Sequence, residues 1–346
     1  MKKFILTAFA LCLTLTLVFC WMPTPANAAA ISDETNRSAA SVPPAALRFA
    51  SAYLKLEADL TVTFMVKGEL FAKGAYENPR VVYSIQDVWS NTVNTQEVTE
   101  YTVNSQGRML FPFTGISPRM MKAPITATLY GTYQGVEYSY SMEYKLSDYC
   151  YSHLNNPANH GNTKFMTLLA DLLNYGTAHQ KYIGHDTDNL INAEMTDFHK
   201  SFASTGKPVY NNVLGLSGTN YSAAFTGATL SLNNAIVVRY TIRCDDLTDV
   251  NLKVEIDGEI YRITADEFVP VSGYTNRYYV SFRKLQAKQL RESIKTTICR
   301  GDSVISKTAT YSVESYAASV NDSSVLGNLV KHMMYYGDSA AAYFNS

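Results

Sequence analysis

The sequence predicts a mixed, mainly β fold. It reads as two homologous antiparallel, immunoglobulin-like β-sandwich modules, each followed by an α-helical hairpin. Three observations carry this reading. Apolar residues alternate with period two over many short runs. The period then changes to a helical 3, 4 spacing before each module ends. The same stretch also occurs twice, as Leu168–Ile183 and as Leu329–Phe344, so one module is built twice along the chain.

The elements follow in order. Residues 1–28 read as a signal peptide. Lys2 and Lys3 are its positive end, Phe4 to Met22 its apolar run and Ala26-Asn27-Ala28 its small-residue cleavage site. Residues 29–46 read as a flexible lead-in rich in Ala and Ser. The first module, residues 47–183, opens with strands at Leu54–Leu56 and Leu60–Val66. Further strands are expected at Val81–Ile85, Val98–Val103, Met109–Phe113, Ile125–Tyr130 and Val136–Leu146, with Gly, Asn and Pro between them. Ser147-Asp148 then reads as the cap of a short helix through Leu154. A longer helix is expected over Thr163–Ile183, with Phe165, Leu168, Leu169, Leu172, Leu173 and Gly176 on one face.

Residues 184–219 read as a polar linker and residues 220–346 as the second module. The offset between the copies is 176 at Leu54 and Leu230, 169 at Phe113 and Phe282, 167 at Tyr144 and Tyr311, and 161 at Leu168 and Leu329. An offset that shrinks in one direction is what a duplication with small loop deletions leaves. Tyr144/Tyr311 at the strand end, and Tyr175/Tyr336, Gly176/Gly337 and Tyr182/Tyr343 in the long helix, are among the residues both copies keep, and they read as structural. A helical glycine costs about 1 kcal/mol relative to alanine; close packing at Gly176 and Gly337 would offset it.

These same residues resemble a known module. A Tyr-x-[Leu/Val]-x-x-Tyr strand end is present as Tyr144 to Tyr149 and Tyr311 to Tyr316. Apolar pairs, Tyr-Gly-x-[Ala/Ser] and Tyr-[Phe/Ile] follow it, and Asp188-Asn189-Leu190 comes after the first helix. The pattern resembles tandem β-sandwich/helical-hairpin modules of uncharacterised secreted or surface proteins of Gram-positive, Clostridia-type bacteria. The resemblance implies a location outside the cell and implies no activity.

Composition excludes several classes. Basic and acidic residues number 29 and 30, for a formal charge of −1, or −3 once Lys2 and Lys3 leave with the signal. That is no electrostatic footprint for nucleic acid. No transmembrane segment is expected after signal cleavage. Cys150, Cys244 and Cys299 remain, an odd number that does not fit a disulfide framework. Cys244 and Cys299 sit on predicted strands of the second module and could pair; buried free thiols fit the same positions. Tyrosine is unusually common at 25 copies, as suits half-buried strands in which the ring packs and the hydroxyl stays wet.

Candidate chemistry is sparse. Five of six histidines lie between His153 and His199. With Asp186 and Asp188 they offer transition-metal ligands for a metal-dependent hydrolase, but no zinc spacing appears. His179 has Ala340 in the other copy. Asp186 to Asp197 begins like a calcium loop and has Ile191 where that loop needs glycine. Cys150 and His153 lie three apart, as a thiolate–imidazole pair could, yet Cys150 aligns with the packing residue Ala317. Gly215-Leu216-Ser217-Gly218 lacks the last glycine of a nucleophile elbow. Arg283, Lys284, Lys288, Arg291 and Lys295 form a basic stretch that could meet an anionic polymer or surface. Tyr130, Tyr138 and Tyr140, and Tyr278 and Tyr279, cluster on strands as a sugar platform would.

The sequence therefore predicts a secreted or extracellular, non-catalytic protein. Its expected partner is a glycan or an extracellular protein. A structural spacer is a further reading. No catalytic residue, metal or cofactor is assigned; cell-surface attachment and oligomeric state stay open.

Overall fold

A computed structural model describes residues 43, 45–56, 60–87, 91–218, 221–232 and 235–345. The signal segment, most of the lead-in and Trp89 lie outside the described residues. The first set of strands is β1 (Phe49–Lys55), β2 (Thr61–Lys67), β3 (Glu77–Asp87), β4 (Thr92–Val98), β5 (Thr102–Val103), β6 (Arg108–Phe113), β7 (Ile125–Tyr133) and β8 (Val136–Tyr144). They form antiparallel sheets ordered β1-β2-β6-β5 and β4-β3-β7-β8. Helices α1 (Leu146–Leu154) and α2 (Thr163–Ile183) follow, then a short α3 (Asp197–Lys200).

The second set is β9 (Gly215–Ser217), β10 (Ala224–Ser231), β11 (Val237–Arg243), β12 (Val250–Ile256), β13 (Glu259–Thr264), β14 (Val269–Pro270), β15 (Arg277–Phe282), β16 (Ile294–Arg300), β17 (Ser303–Val304) and β18 (Thr308–Tyr311). Their sheets run β10-β11-β15-β14 and β13-β12-β16-β18-β9, with β17 beside β16. α4 (Val313–Ser319) and α5 (Val325–Phe344) close the chain. The strand order of the first set thus recurs, with β9 added at one edge.

The repeat extends to detail. Leu54 pairs with Val62 and Leu230 with Val238; Val62 pairs with Phe113 and Val238 with Phe282. Even a register irregularity recurs, between Phe49 and Ser51 in β1 and between Phe225 and Gly227 in β10. Such irregularities bend and twist an edge strand locally, so both copies inherit one bend.

Period-two alternation puts one face of each sheet inside. Val62, Phe64, Val66, Val81, Tyr83, Ile125, Ala127 and Leu129 are fully buried in the first set, as are Val238, Tyr240, Ile242, Leu252, Val254, Ile294 and Ile298 in the second. Each large apolar side chain so buried contributes about 1.5–3 kcal/mol. Tyr83 crosses between the sheets, with its ring 5.4 Å from Phe64 and its hydroxyl donating to the Phe111 carbonyl at 2.7 Å. Tyr240 does the same in reverse, accepting from Thr296 Oγ1 at 2.8 Å. The expectation of wet tyrosine hydroxyls fails at these two positions, because a fully buried hydroxyl needs a partner and finds one across the core.

Two boundaries differ from the sequence reading. Val98–Val103 is not one strand: β4 ends at Val98 in one sheet and β5 starts at Thr102 in the other. Between them Tyr101 turns onto Phe111, 5.2 Å away. β4 was hidden because it is an edge strand, exposed from Thr92 to Glu97, and so shows no apolar alternation. α1 starts at Leu146 with Lys145 at its N-cap and no side-chain cap, rather than at Ser147. The second copy has Ser312 at that place, accepting from Ser315 N.

The long helices follow expectation. α2 starts at the Asn162 cap, whose side chain accepts from Phe165 N, and ends at Gly184 in the left-handed region with φ 69°. Gly176 lets α2 approach the 3-10 turn Pro118–Met120, where an added Cβ would lie 3.0 Å from the Pro118 carbonyl oxygen and 3.0 Å from Met121 Sδ. Gly337 does the same for α5 over the turn Ala287–Gln289, with Leu290 Cδ1 at 2.7 Å and the Ala287 carbonyl at 3.1 Å.

α2 and α5 pack on each other antiparallel. Tyr175 stacks on Tyr336, with centroids 5.8 Å apart and planes at 14°, and Phe165 meets Tyr343 at 5.3 Å. Each helix also reaches the other copy's first hairpin. Tyr336 donates to the Leu56 carbonyl at 2.8 Å, and His179 lies against the backbone at Leu232, which is the counterpart of Leu56.

Residues 185–214 are not a free linker. Ile191 N donates to Gln180 Oε1, Asn192 N to Thr177 Oγ1 and Ser204 N to the buried Asp171, all at 2.8–2.9 Å. The path then crosses to the second copy, where Tyr335 bonds the Gly206 carbonyl, Arg291 the Val209 carbonyl and Val213 N the Ser315 hydroxyl.

Candidate surface on the second sandwich

Strand alternation places the tyrosines of the sequence reading on different faces. Tyr138 and Tyr140 point between the sheets, 5.9 Å from Tyr76 and 6.1 Å from Phe49. Tyr130 is on the opposite face, under the Arg80 guanidinium at 4.0 Å. Arg80 is itself paired with Glu137 at 2.6 Å. Those three rings do not form one platform. Tyr278 also turns inward, 6.4 Å from Phe268. Tyr279 alone of the five points outward as an exposed ring, 37% accessible.

Tyr279 sits in a patch that the sequence reading did not assemble. On β11, Val238, Tyr240 and Ile242 face the core, so Arg239, Thr241 and Arg243 face out. On β15, Tyr278, Val280 and Phe282 face in, so Arg277, Tyr279 and Ser281 face out. The register sets Arg239 opposite Ser281, Thr241 opposite Tyr279 and Arg243 opposite Arg277. The hairpin turn after β14, with Gly273 at φ 81°, presents Tyr274 beside them, 51% accessible. Arg277 stacks over Tyr274 at 4.0 Å, and Arg239 stands 5.6 Å from the Tyr279 ring.

The electrostatics of this face are unbalanced. Among the described residues none of Arg239, Arg243 and Arg277 forms an ion pair, and Arg243 directly faces Arg277 across the strands. Like charges set opposite one another in a sheet are destabilising. The duplication makes the comparison internal: the first copy has Thr63, Met65 and Leu110 where the second has Arg239, Thr241 and Tyr279. Lys67 and Arg108, the counterparts of Arg243 and Arg277, also face each other across the strands, and there Lys67 is paired with Glu69 at 3.4 Å. The signal in the sequence was the run Val-Val-Arg-Tyr-Thr-Ile-Arg at 237–243, whose odd positions put Arg239, Thr241 and Arg243 on one side with the buried Val237 at its start.

The basic stretch at 283–295 splits up. Arg291 is consumed by Asp338, at 2.5 and 2.8 Å, and by the buried Glu314. Arg283 and Lys284 are exposed and follow directly after β15.

The histidines do not converge. His153 packs edge-on to Tyr149 and Phe165, His160 bonds the Leu154 carbonyl, and His199 closes a capping box with Thr196. His185 Nδ1 lies 3.6 Å from Asp87. Burial holds His153, His185 and His199 below the usual imidazole range, and pushes buried His179 down to about 4 beside Arg119. Among the described residues no group of three or more His, Cys, Asp or Glu could hold a metal ion. Asp186 is instead bonded by Asn189 Nδ2, while Lys122 bonds Asn189 Oδ1 and Glu194.

The cysteines take the second of the two readings open to them, as buried free thiols. Cys244 and Cys299 are free, as is Cys150. Cys244 turns its thiol to the Asp246 carbonyl. Cys299 shares the outer face of β16 with Thr297, 3.7 Å away, while Ile294, Thr296 and Ile298 face the core. Burial raises the Cys150 thiol well above its usual range.

A cleft of about 370 Å³ lies at one end of the first sandwich, lined in part by Asn94, Thr95, Gln96, Asp87 and Arg119. Its charged members are engaged inward, Asp87 with His185 and Arg119 with Ser117.

No family model matches the chain, and no curated protein matches it. Among solved structures, a 1.5-MDa bacterial ice-binding adhesin, studied for host cell surface retention, matches at 11% identity with a TM-score of 0.18. The match covers 74% of this chain and spans 58% of that one. Similarity at that level carries no argument about fold or function here. Among the described residues no helix is long and apolar enough to cross a membrane.

Proposed function

We propose that this is a non-catalytic binding protein of the cell exterior, with the outer face of the β10-β11-β15-β14 sheet as its contact surface and a glycan as its ligand. The observation that carries the reading is a sheet face with three arginines that form no ion pair among the described residues, Tyr279 between them and Tyr274 on the adjoining turn; the first copy keeps cations only at Lys67 and Arg108 and has Thr63 and Leu110 in place of Arg239 and Tyr279. A fold gains nothing from unneutralised charges at that spacing, whereas a ligand does. The leader-like residues 1–28 support the exterior location. Rigid strands hold the side chains, which limits the entropy lost on binding.

The test is a glycan array probed with the mature chain, residues 29–346, and with Arg239→Ala/Arg277→Ala/Tyr279→Ala. The expected result is loss of array signal at least tenfold with a melting temperature equal to or above that of the wild type, since Arg277→Ala also removes one of two facing like charges. Wild-type binding by the triple variant would remove this face from consideration.

A further inference from the structure

We infer that the ligand of this face is an anionic polysaccharide, carrying carboxylate or phosphate groups along an extended chain; the inference rests on the assignment of the face as the contact surface. Arg239 and Arg243 are four residues apart on β11, a span of about 13 Å, and Arg277 adds a third charge beside Arg243. A row of that length outreaches one small anion and suits a linear polymer. Planar guanidinium groups pair bidentately with both carboxylate and phosphate. The rings of Tyr274 and Tyr279 lie open beside the cations, and an aromatic ring next to a guanidinium offers a stacking surface.

Two other occupants fit less well. A protein interface needs an apolar, fully desolvated core. Here Thr241 lies between Arg239 and Arg243, Thr229 and Ser281 flank Arg239 on the neighbouring strands, and Val269 is the exposed large aliphatic residue paired with Tyr279. A lipid surface would call for several apolar side chains to insert, and Val269 is a single exposed aliphatic residue among hydroxyl-bearing and charged neighbours. A hydrated, extended polyanion needs neither.

The experiment titrates the mature chain against polygalacturonate, a glycerol phosphate polymer, neutral dextran and oligo(dT) by calorimetry at several NaCl concentrations. Polygalacturonate or the glycerol phosphate polymer should bind and dextran should not; the tighter arm identifies carboxylate or phosphate as the source. With three phosphate-like contacts the log–log salt slope should be about −2, or about 40-fold weaker binding for a sixfold rise in salt, and each Arg→Ala change should flatten it by about 0.7. If dextran binds as well as the charged polymers, and Tyr279→Ala abolishes that binding, the anionic class is wrong while the face stands. If a charged polymer binds and the triple variant binds it equally, the face itself is wrong. Tighter binding of oligo(dT) than of either glycan polymer, or no binding to any polyanion, overturns the inference.

Discussion

At the residue scale, Gly337 and Gly176 show how one atom sets a helix's position. Substituting alanine at an exposed helical glycine gains about 1 kcal/mol. At Gly337 the new methyl would meet Leu290 Cδ1 at 2.7 Å and the Ala287 carbonyl at 3.1 Å, and overpacking of this kind costs about 1–3 kcal/mol. The backbone carbonyl cannot rotate away as a side-chain tip can. Gly337→Ala is therefore expected to lower the melting temperature by several degrees in thermal denaturation; a rise would mean that Leu290 yields and the helix propensity term wins. These glycines were legible in the sequence because both copies keep them. The outward arginines were not, because Arg239 and Arg277 are brought together by strand register and not by proximity along the chain. Nor did composition reveal that Tyr138 and Tyr140 face inward: alternation says that they share a face and leaves open which face it is.

At the element scale, the segment 185–214 is the part least visible beforehand. Its polar composition reads as a linker, yet it is fixed by side chains donated from two helical regions. In the first copy Lys122 and Gln180 hold residues 189–194; in the second Arg291, the counterpart of Lys122, holds Val209 while bridging Asp338 and Glu314. Polar segments with such partners carry little apolar periodicity, so no sequence pattern announces them. Glu314 is 3% exposed, so removing Arg291 leaves a buried carboxylate without its cation, at a cost that the 36% exposure of Arg291 keeps below that of a fully buried pair. Arg291→Ala should release residues 206–214 and make Tyr210 a fast chymotryptic site, read by limited proteolysis and mass spectrometry. Equal cleavage rates in wild type and variant would show that the segment is held without this clamp. Strands and long helices, by contrast, were readable because their periodicity comes from burial: α2 runs Thr163–Ile183 as the spacing predicts. The edge strand β4 escaped notice because it buries neither face.

At the scale of the whole molecule, the duplication creates a contact that a single copy could not make. α2 and α5 lie against each other, and each touches the other copy's first hairpin, at Leu56 and Leu232. The two contacts are not chemically equal. Ala340 stands where the first copy has His179, so one of them contains a titratable group. His179 is 1% exposed, with Arg119 and His185 near it and Asp87 beyond His185. Burial first, then the Arg119 charge, depress its folded pKa from 6.5 to about 4. The unfolded chain thus binds the proton more readily than the folded one. Stability from the neutral ring is complete above pH 6.5 and is lost as the pH falls from there towards 4. A shift of this size corresponds to about 3 kcal/mol, enough to dominate the acid limb of a marginally stable chain. Urea midpoints measured between pH 7 and pH 4 should fall steeply for the wild type, and His179→Leu, which keeps an apolar filling against the Leu232 hairpin, should flatten that fall. An unchanged slope in His179→Leu would place the acid sensitivity elsewhere. His332, also depressed to about 4 by burial beside Lys331 and Lys181, is then the next imidazole to replace, and the double variant separates the two contributions because the helices that carry them can be titrated in one experiment.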